Sequence, residues 1–590
     1  MVFGLRFDIS TITITNSLFI VMLLVPAPFV LNQYYQKFLK YLFIVTNSIF
    51  LAINLVDVAY FPFVHKRMQF DAFRYITGSK GTDFFRLLPT FLRQFWYLAL
   101  FLFFIVVFLI KTYKEAVLAT DRVLPSIKNY IYSILVFLLS AGLAIIAIRG
   151  GLQVYPLSIT HASEMAEVDN IPILLNAPFS VINTLDKKNL PVLDYFPENE
   201  LPSYYTGIHQ PEKIGSFTKQ NVVVIIVEGL SKKYVSFFKG RGKTPFLDSL
   251  LGESLVFENG FANARESIQG IPAVLSSIPS WQDEPFIFSP YSTNSITSFA
   301  SILHKEGYTS AFFHGGSNGT MGFDFYSKLA GFDHYYGRRE YNNEKDFDGD
   351  WGIWDEPFLQ YAANTMSATQ QPFMSAIFTL NTHHPFTIPE KYKTIFTDNS
   401  HPMLPCVQYF DLALQRFFEN ASKQPWYKNT LFIITADHTV GKIAKEKSTV
   451  LEDYRIPIAF YRPDGSLKKV DKTVANQIDI LPTALHILNY SKPYFSFGKD
   501  LLNNQYEHFS INYSGGIYQY IDNSWDYQFN GERGVGLYNW KADTACKNNL
   551  IENAALADSL KLREANLKKM IQVFNNDMVN NKMQVLATKK

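Results

Sequence analysis

Residues 221–227 read NVVVIIV and are followed at once by Glu228 and Gly229. β-Branched side chains favour pleated backbone, and an unbroken apolar run is typical of a strand buried on both faces of a parallel sheet. Because an open parallel sheet presents its ligands at the carboxyl ends of its strands, Glu228 lies where binding and catalysis are usually found. A lone Glu at a strand end can also be an ordinary solvated carboxylate. The residues at the other strand ends show whether Glu228 belongs to a functional site.

Long apolar runs dominate the chain before residue 150, and each is close to the ~20 residues that a helix needs to cross a bilayer. Together they predict an all-α transmembrane bundle of about four spans, at residues 12–31, 41–60, 95–112 and 130–148. Lys and Arg are shared almost evenly among the connectors, so charge does not set the orientation. Within the second run, Asn47, Asn54 and Asp57 either face the bundle interior or form a tolerated polar stripe.

The length of 590 residues is more than one compact domain needs. We expect a transmembrane domain, juxtamembrane helices with a linker, an α/β domain with a mainly parallel central sheet, and a helical tail, at residues 1–149, 150–220, 221–548 and 549–590. A formal charge of +2 does not point to a nucleic-acid partner. Two cysteines, Cys406 and Cys546, make neither a disulfide framework nor a thiolate metal site.

Four apolar runs in the second half end in groups that bind metal ions or phosphate. They end at Glu228, at His314, at His383 with His384, and at Asp437 with His438. One such ending arises easily by chance, but four are what a single sheet edge would present. Glu, Asp and His without Cys form a ligand set that suits Mn²⁺, Zn²⁺ or Mg²⁺.

Ser267, in the segment ARESIQGIP, is a candidate nucleophile for such a site. It precedes a helical stretch of small residues, and the free amides of a helix start attract anions. Taken alone, Ser267 suits the simpler role of a helix N-cap equally well.

These segments together resemble the lipoteichoic acid synthase family, membrane-anchored proteins of the alkaline phosphatase and sulfatase superfamily. The resemblance covers nearly the whole chain and implies a sulfatase-like catalytic domain outside the cytoplasmic membrane of a bacterium, held by a multi-pass anchor. It implies one divalent ion, most often Mn²⁺, bound by Glu228, Ser267, Asp437 and His438. TPFLDSL at 244–250 and QIDILPTAL at 477–485 also look like superfamily segments.

The resemblance further implies transfer of a phosphoglycerol-like head group from a membrane phospholipid to a glycan or lipid acceptor through a covalent Ser267 intermediate. His383 is then both catalytic and substrate-binding, and His384, His314 and Asn318 are expected to contact substrate. His314 and Asn318 equally suit hydrogen bonds that stabilise a loop. Trp351 and Trp354 either wall the pocket or pack in the core.

Several features depart from the family pattern. The nucleophile is Ser rather than the commoner Thr. Met321 and Phe323 stand where members that bind a glycerophosphate head group carry Trp and Arg, which leaves the head group open. Four spans are expected where the family usually has five, and the start MVFGLRFDIS looks like the loss of a first span.

Three alternative functions remain. A sulfatase is disfavoured because Ser267 is followed by Ile268, Gln269, Gly270 and Ile271, without the Pro and Arg of the sulfatase pattern. A phosphoethanolamine transferase usually carries several disulfides, which two cysteines do not support. A non-catalytic protein with a sulfatase-like shell would be expected to have lost a ligand, and none is missing here. Oligomeric state and the balance between transfer and hydrolysis stay open.

Overall fold

The computed structural model of the chain describes residues 4–64, 67–68, 70, 89–90, 92–114, 127–152, 156–157, 162, 171–185, 190–201, 205–289, 291–292, 294–440, 449–505 and 507–585. The chain divides into two compact units, Met1–Lys187 and Lys188–Lys590. The segment predicted as a linker at 150–220 is therefore shared between the units. The predicted tail at 549–590 belongs to the second unit.

The first unit is helical throughout its described elements, as predicted. Its helices are Gly4–Thr15 (α1), Ser17–Leu24 (α2), Gln33–Val64 (α3), Trp96–Thr112 (α4), Ile127–Arg149 (α5), Ile171–Leu174 (α6) and Ala177–Thr184 (α7). Among the described residues, two helices are long and apolar enough to cross a membrane, α3 over 30 residues and α5 over 23, or three if α1 and α2 together form one bent span, which is fewer than the four predicted. Helix α4 is apolar but shorter, at 17 residues.

The predicted span at 12–31 is wrong as a single straight helix. Helices α1 and α2 are bent by 61° at their junction, where Asn16 donates from its side chain to the carbonyl of Ile12 at 3.0 Å. Such local side-chain bonds compete with the helix ladder. Helix α2 then ends at Leu24, just before Pro26, because proline disfavours helical backbone in the residue that precedes it.

Polar groups of the second predicted span make contacts inside the first unit. The amide of Asn47 donates to Asn16 Oδ1 at 2.8 Å, and Asp57 is fully buried, accepting from the Met68 N–H at 2.6 Å and from Arg67 at 2.5 Å. These side chains therefore face the interior rather than forming an exposed stripe.

The second unit has an α/β body, as predicted, with a central sheet of eight strands. The strands of the unit are Ile208–His209 (β1), Asn221–Val227 (β2), Leu255–Phe261 (β3), Thr309–His314 (β4), His334–Tyr336 (β5), Phe373–Phe378 (β6), Thr430–Ala436 (β7), Ile458–Tyr461 (β8), Lys469–Asn476 (β9), Tyr494–Phe495 (β10), Ser510–Ser514 (β11), Ile517–Ile521 (β12), Asp526–Phe529 (β13) and Gly534–Tyr538 (β14). The α-helices are Pro245–Gly252 (α8), Ser267–Ser276 (α9), Phe299–His304 (α10), Phe323–Leu329 (α11), Arg338–Tyr341 (α12), Asp355–Ser367 (α13), Met403–Ala421 (α14), Ile480–Ile487 (α15) and Ala557–Val579 (α16).

The strand order of the central sheet explains how distant segments meet. The order is β5-β4-β6-β2-β7-β8-β3-β9, and only β8 runs antiparallel to its neighbours. Strands β2, β6 and β7 are buried along their whole length, as expected for a sheet with both faces covered. Strands β4, β6, β2 and β7 lie side by side and parallel, so their carboxyl ends share one edge.

A second, four-stranded antiparallel sheet, β11-β12-β13-β14, was not predicted. Its strands are only four or five residues long, which leaves little alternation to detect. The Gly515-Gly516 pair between β11 and β12 is the local hairpin signal, because both glycines have positive φ. The tail helix α16 is shorter than the predicted 549–586, and it packs through buried Leu567 and Phe574.

Candidate active site

Two neighbouring strands bring three acidic and imidazole groups together. Glu228 follows β2, and Asp437 and His438 follow β7. His438 Nε2 lies 3.3 Å from Glu228 Oε1 and 3.3 Å from Asp437 Oδ2. One potential ligand atom of each residue lies within 4.8 Å of the others, and all three residues are buried. The parallel register, with Val227 opposite Ala436, sets the two strand ends side by side.

Ser267 completes this group. Its hydroxyl donates to Glu228 Oε2 at 3.0 Å and lies 3.3 Å from His438 Nε2. Ser267 is the first residue of α9, while Glu266 occupies the N-cap position. The side chain is therefore not a helix cap, and it stands where the first-turn amides of a helix favour an anion. We call Glu228, Ser267, Asp437 and His438 the charged cluster.

Glycines allow the close approach of the segments that carry the charged cluster. Gly229 adopts a φ of +60° and donates its N–H to Asp437 Oδ1 at 2.8 Å. A β-carbon at Gly270 would lie 2.2 Å from the Asp437 carbonyl oxygen, so helix α9 can approach that backbone only with glycine there.

Gln477 ties the same segments together, and sequence reasoning assigned it no role. Its side-chain N–H groups donate to the carbonyls of Ala436 and Asp437, both at 2.6 Å, and its Oε1 accepts from the Asn263 N–H at 2.7 Å. The only signal was its position at the start of the QIDILPTAL segment.

The members of the charged cluster shift one another's pKa values. Burial disfavours the Glu228 carboxylate, but the adjacent His438 ring outweighs burial and lowers the pKa of Glu228 to about 2. Burial and the negative charge of Glu228 raise the pKa of Asp437 to about 7. Burial disfavours the His438 imidazolium, yet the two carboxylates raise the pKa of His438 to about 10. The cluster thus holds a positive charge between two buried carboxylates.

These residues fit a divalent cation. Asp437 Oδ2 is buried and accepts no hydrogen bond among the described residues, although buried carboxylate oxygens are normally satisfied. Two carboxylates, an imidazole and a hydroxyl form a ligand set that suits Mn²⁺, Zn²⁺ or Mg²⁺. His438 Nδ1 lies 2.9 Å from the Thr439 carbonyl and must donate to it, which leaves Nε2 free to serve as a ligand.

His314, at the end of β4, is enclosed by aromatic rings. It is 1% exposed, stacks on Phe378 with ring centroids 4.9 Å apart, and meets the edge of Phe323 at 5.2 Å. Neither ring nitrogen has a hydrogen-bond partner among the described residues. Burial lowers the pKa of His314 to about 4, so the ring is neutral at pH 7.

His383 and His384, beyond β6, have different environments. The Nδ1 of His383 lies 2.7 Å from the His384 carbonyl oxygen, and the Trp351 ring lies 4.2 Å from the His383 ring. The ring of His383 also helps to lower the pKa of Glu228. The His384 ring meets the edge of Phe386, and burial lowers the pKa of His384 to about 4. We call His314, Trp351, His383 and His384 the aromatic group.

Two further predicted residues have contacts of other kinds. Asn318 donates to Glu340 at 2.9 Å and accepts from the Arg339 N–H at 3.2 Å, the loop-stabilising arrangement. Trp354 packs against Tyr409, with ring centroids 6.1 Å apart, in a separate apolar cluster. Trp351 is therefore the tryptophan of the pair that adjoins the site.

Comparisons with known proteins agree with this architecture. The family model described as Sulfatase matches residues 220–490. Lipoteichoic acid synthase 1 of Bacillus subtilis is 27% identical over 335 residues, which cover 52% of each chain. Lipoteichoic acid synthase of Staphylococcus aureus is 26% identical over 320 residues, which cover 50% of this chain and 49% of that protein. The chain thus matches these curated relatives over about half of their length.

Two solved structures share the fold. A protein in the alkaline phosphatase superfamily from Vibrio parahaemolyticus superposes with a TM-score of 0.55 at 24% identity, covering 62% of this chain and 89% of that chain. The lipoteichoic acid synthase LtaP from Listeria monocytogenes superposes with a TM-score of 0.54 at 21% identity, covering 65% and 97%.

The mainly parallel sheet and the cluster at its edge lie in the part of the chain that matches the Sulfatase model, so the second unit holds a sulfatase-like domain. Over about half of its length the chain is similar to lipoteichoic acid synthases, and its first unit holds apolar helices of membrane-spanning length.

Proposed function

We propose that the protein is a metal-dependent phosphotransferase that moves a phospho-head-group from a membrane phospholipid to an acceptor hydroxyl through a covalent Ser267 ester. The observation that carries the proposal is the position of Ser267. Its hydroxyl lies at a helix start, 3.0 Å from Glu228 and 3.3 Å from His438, within a cluster that fits a divalent cation.

Glu228, Ser267, Asp437 and His438 would hold the ion, for which Mn²⁺ is the first choice. When bound, the ion would offset the two carboxylates and stabilise the Ser267 alkoxide. Glu228 and Asp437 would in turn keep the nucleophilic oxygen in place at the start of α9. The amides of that helix start would favour the phosphoryl oxygens of the substrate.

His383 would move the proton. Ser267 would enter the cycle as an alkoxide, its proton lost to solvent beforehand, and His383 would enter it protonated. In the first half of the reaction, Ser267 Oγ bonds to phosphorus, the bond from phosphorus to the diacylglycerol oxygen breaks, and His383 gives its proton to that oxygen. In the second half, the acceptor hydroxyl gives its proton to His383 and its oxygen bonds to phosphorus, while the bond from phosphorus to Ser267 Oγ breaks and releases the alkoxide. His383 ends the cycle as it began.

His314 is the proposed contact for the head group, because both of its ring nitrogens are buried without hydrogen-bond partners among the described residues. Phe323 is 1% exposed and packs against His314, so the position where relatives carry Arg adds no positive charge here. The proposed head group belongs to the phosphoglycerol-like class.

The donor would be a lipid of the bacterial cytoplasmic membrane, and the acceptor a glycan or lipid outside it. Each CH₂ that leaves the bilayer costs ~0.8 kcal/mol, so an enzyme held at the membrane can use a lipid donor without extracting it. We accordingly propose a multi-pass anchor in that membrane, with the second unit outside the cytoplasm. If water is the acceptor, the same steps describe a phosphodiesterase.

The test uses the purified full chain with Mn²⁺ and vesicles of phospholipids with labelled head groups. We expect release of diacylglycerol and an intact-mass increase equal to one phospho-head-group on Ser267. The Ser267→Ala variant should show neither. Protein that binds Mn²⁺ but releases no diacylglycerol from any lipid, and gains no mass, would overturn the proposal.

A further inference from the structure

The carbonyl oxygen of His384 receives two hydrogen bonds. The Trp351 indole Nε1–H donates to it at 2.5 Å, and His383 Nδ1 lies 2.7 Å from it. A carbonyl only accepts, so the His383 Nδ1 must carry a hydrogen in both the neutral and the charged ring. The Nε2 of His383 is therefore the nitrogen that gains and loses a proton.

The segment that carries Trp351 is held independently of His383. Asp348 Oδ1 accepts from the N–H groups of Asp350, Trp351 and Gly352 at 2.8, 2.8 and 3.1 Å. The Ile353 N–H donates to the Gly315 carbonyl at 3.0 Å, which ties the segment to the residues that follow β4. The indole is thus attached to a braced segment.

The segment that carries His383 is braced as well. Asp355 accepts from the N–H groups of Leu380 and Asn381 at 2.8 and 3.2 Å, and Asn381 Oδ1 accepts from the Asp355 N–H at 2.5 Å. The His383 N–H donates to the Leu380 carbonyl at 3.0 Å. Asp355 thus joins the two segments at one point, and near His383 they also meet through the Trp351 hydrogen bond to the His384 carbonyl and the 4.2 Å approach of the Trp351 and His383 ring centroids.

We propose that Trp351 is a positioning residue for proton transfer by His383. By holding the His384 carbonyl, it fixes the acceptor of the Nδ1–H and therefore the direction in which Nε2 points. The indole also packs edge-to-face against the imidazole, with ring centroids 4.2 Å apart. This inference rests on the proposed function and assigns Trp351 to one part of it, the protonation of the leaving oxygen.

The role predicts an effect that depends on the leaving group. Diacylglycerol leaves as an alkoxide unless its oxygen is protonated, whereas nitrophenolate leaves readily without a proton. Loss of Trp351 should therefore slow cleavage of a lipid and spare cleavage of a nitrophenyl ester. Simple damage to the site would slow both reactions equally.

The experiment measures two rates in the full chain with Mn²⁺: diacylglycerol release from phosphatidylglycerol vesicles and nitrophenol release from bis(p-nitrophenyl) phosphate. The variant is Trp351→Phe, which keeps a ring and removes the N–H. Trp354→Phe is the matched control, because Trp354 packs against Tyr409 in a separate cluster. The ratio of the two rates does not depend on the fraction of folded protein.

We expect the lipid-to-nitrophenyl rate ratio to fall about tenfold or more in Trp351→Phe, and to stay at the wild-type value in Trp354→Phe. An unchanged ratio in Trp351→Phe, or an equal fall in Trp354→Phe, would overturn the role of Trp351 and leave the proposed function standing. Wild-type protein that binds Mn²⁺ but cleaves neither substrate would overturn the proposed function itself, and this inference with it.

Discussion

The charged cluster and the aromatic group stand at the same edge of one sheet but are built in opposite ways. The charged cluster joins two carboxylates and an imidazole within 4.8 Å, and its electrostatics raise the pKa of His438 to about 10. In the aromatic group, burial lowers the pKa of His314 and of His384 to about 4. The four histidines follow strands of one sheet, yet one favours its charged form and two are neutral at pH 7.

The difference lies in the partners and not in burial. His438 and His314 are both buried, but His438 faces two carboxylates while His314 faces phenylalanine rings. Burial alone disfavours the charged imidazole, and nearby negative charge reverses that preference. A site divided in this way can hold a cation on one side and leave neutral groups for an organic substrate on the other.

The largest effect should come from removing one charge of the charged cluster. We expect Asp437→Asn to lose its bound Mn²⁺ and to lower phosphotransfer about 10³-fold or more, because Asp437 Oδ2 is a buried oxygen without a hydrogen bond among the described residues. Metal content after gel filtration and diacylglycerol release are the measurements. Asp500→Asn is the control, since Asp500 forms a similar pair with His486, 2.5 Å away, outside the cluster. Full Mn²⁺ occupancy in Asp437→Asn would contradict the ligand assignment.

A smaller effect should come from the aromatic group, and it should leave the metal in place. We expect His383→Gln to lower kcat about 10²-fold while Mn²⁺ content stays at the wild-type value, because the proposed role of His383 is to move a proton and not to hold the ion. His334→Gln, at an exposed histidine of β5, is the matched control. Loss of Mn²⁺ in His383→Gln would contradict the division of roles between the charged cluster and the aromatic group, because it would show that His383 also supports metal binding.

The smallest expected effect is a gradual change of Mn²⁺ affinity with pH. With a pKa of about 10, the His438 imidazolium must lose its proton before Nε2 can serve as a ligand. Below that pKa, each unit of falling pH should weaken Mn²⁺ binding about tenfold, so affinity rises from pH 7 to pH 9. Glu228, with a pKa of about 2, is ionised throughout and adds no slope, whereas Asp437, with a pKa of about 7, is half protonated at pH 7 and steepens the profile there. Titration calorimetry at pH 7, 8 and 9 measures the slope, and a flat profile would show that binding displaces no proton.

Much of the fold could be predicted because its signals are local. The strand at 221–227 and the apolar helices before residue 150 can be predicted from continuous runs of apolar side chains. The bend at Asn16 was missed because a single polar residue within an apolar run marks it. The sheet of β11 to β14 was missed because its strands are short. What defines the sheet is the pairing of each strand with the next, as between β11 and β12, and residue composition does not reveal that pairing.

Residue order along the chain is enough to tell which chemical groups end the strands: a carboxylate after β2, a histidine at the end of β4, and an Asp-His pair after β7. Which of these groups meet depends on the fold, because strand order in the sheet differs from order along the chain. The fold also sets which atoms of each residue make contact. Ser267 follows β3, which is separated from β2 by β7 and β8, yet its hydroxyl donates to Glu228. His384 contributes its carbonyl as the acceptor from Trp351. Such contacts depend on how the fold places distant backbone segments, and the type of one residue does not reveal that placement.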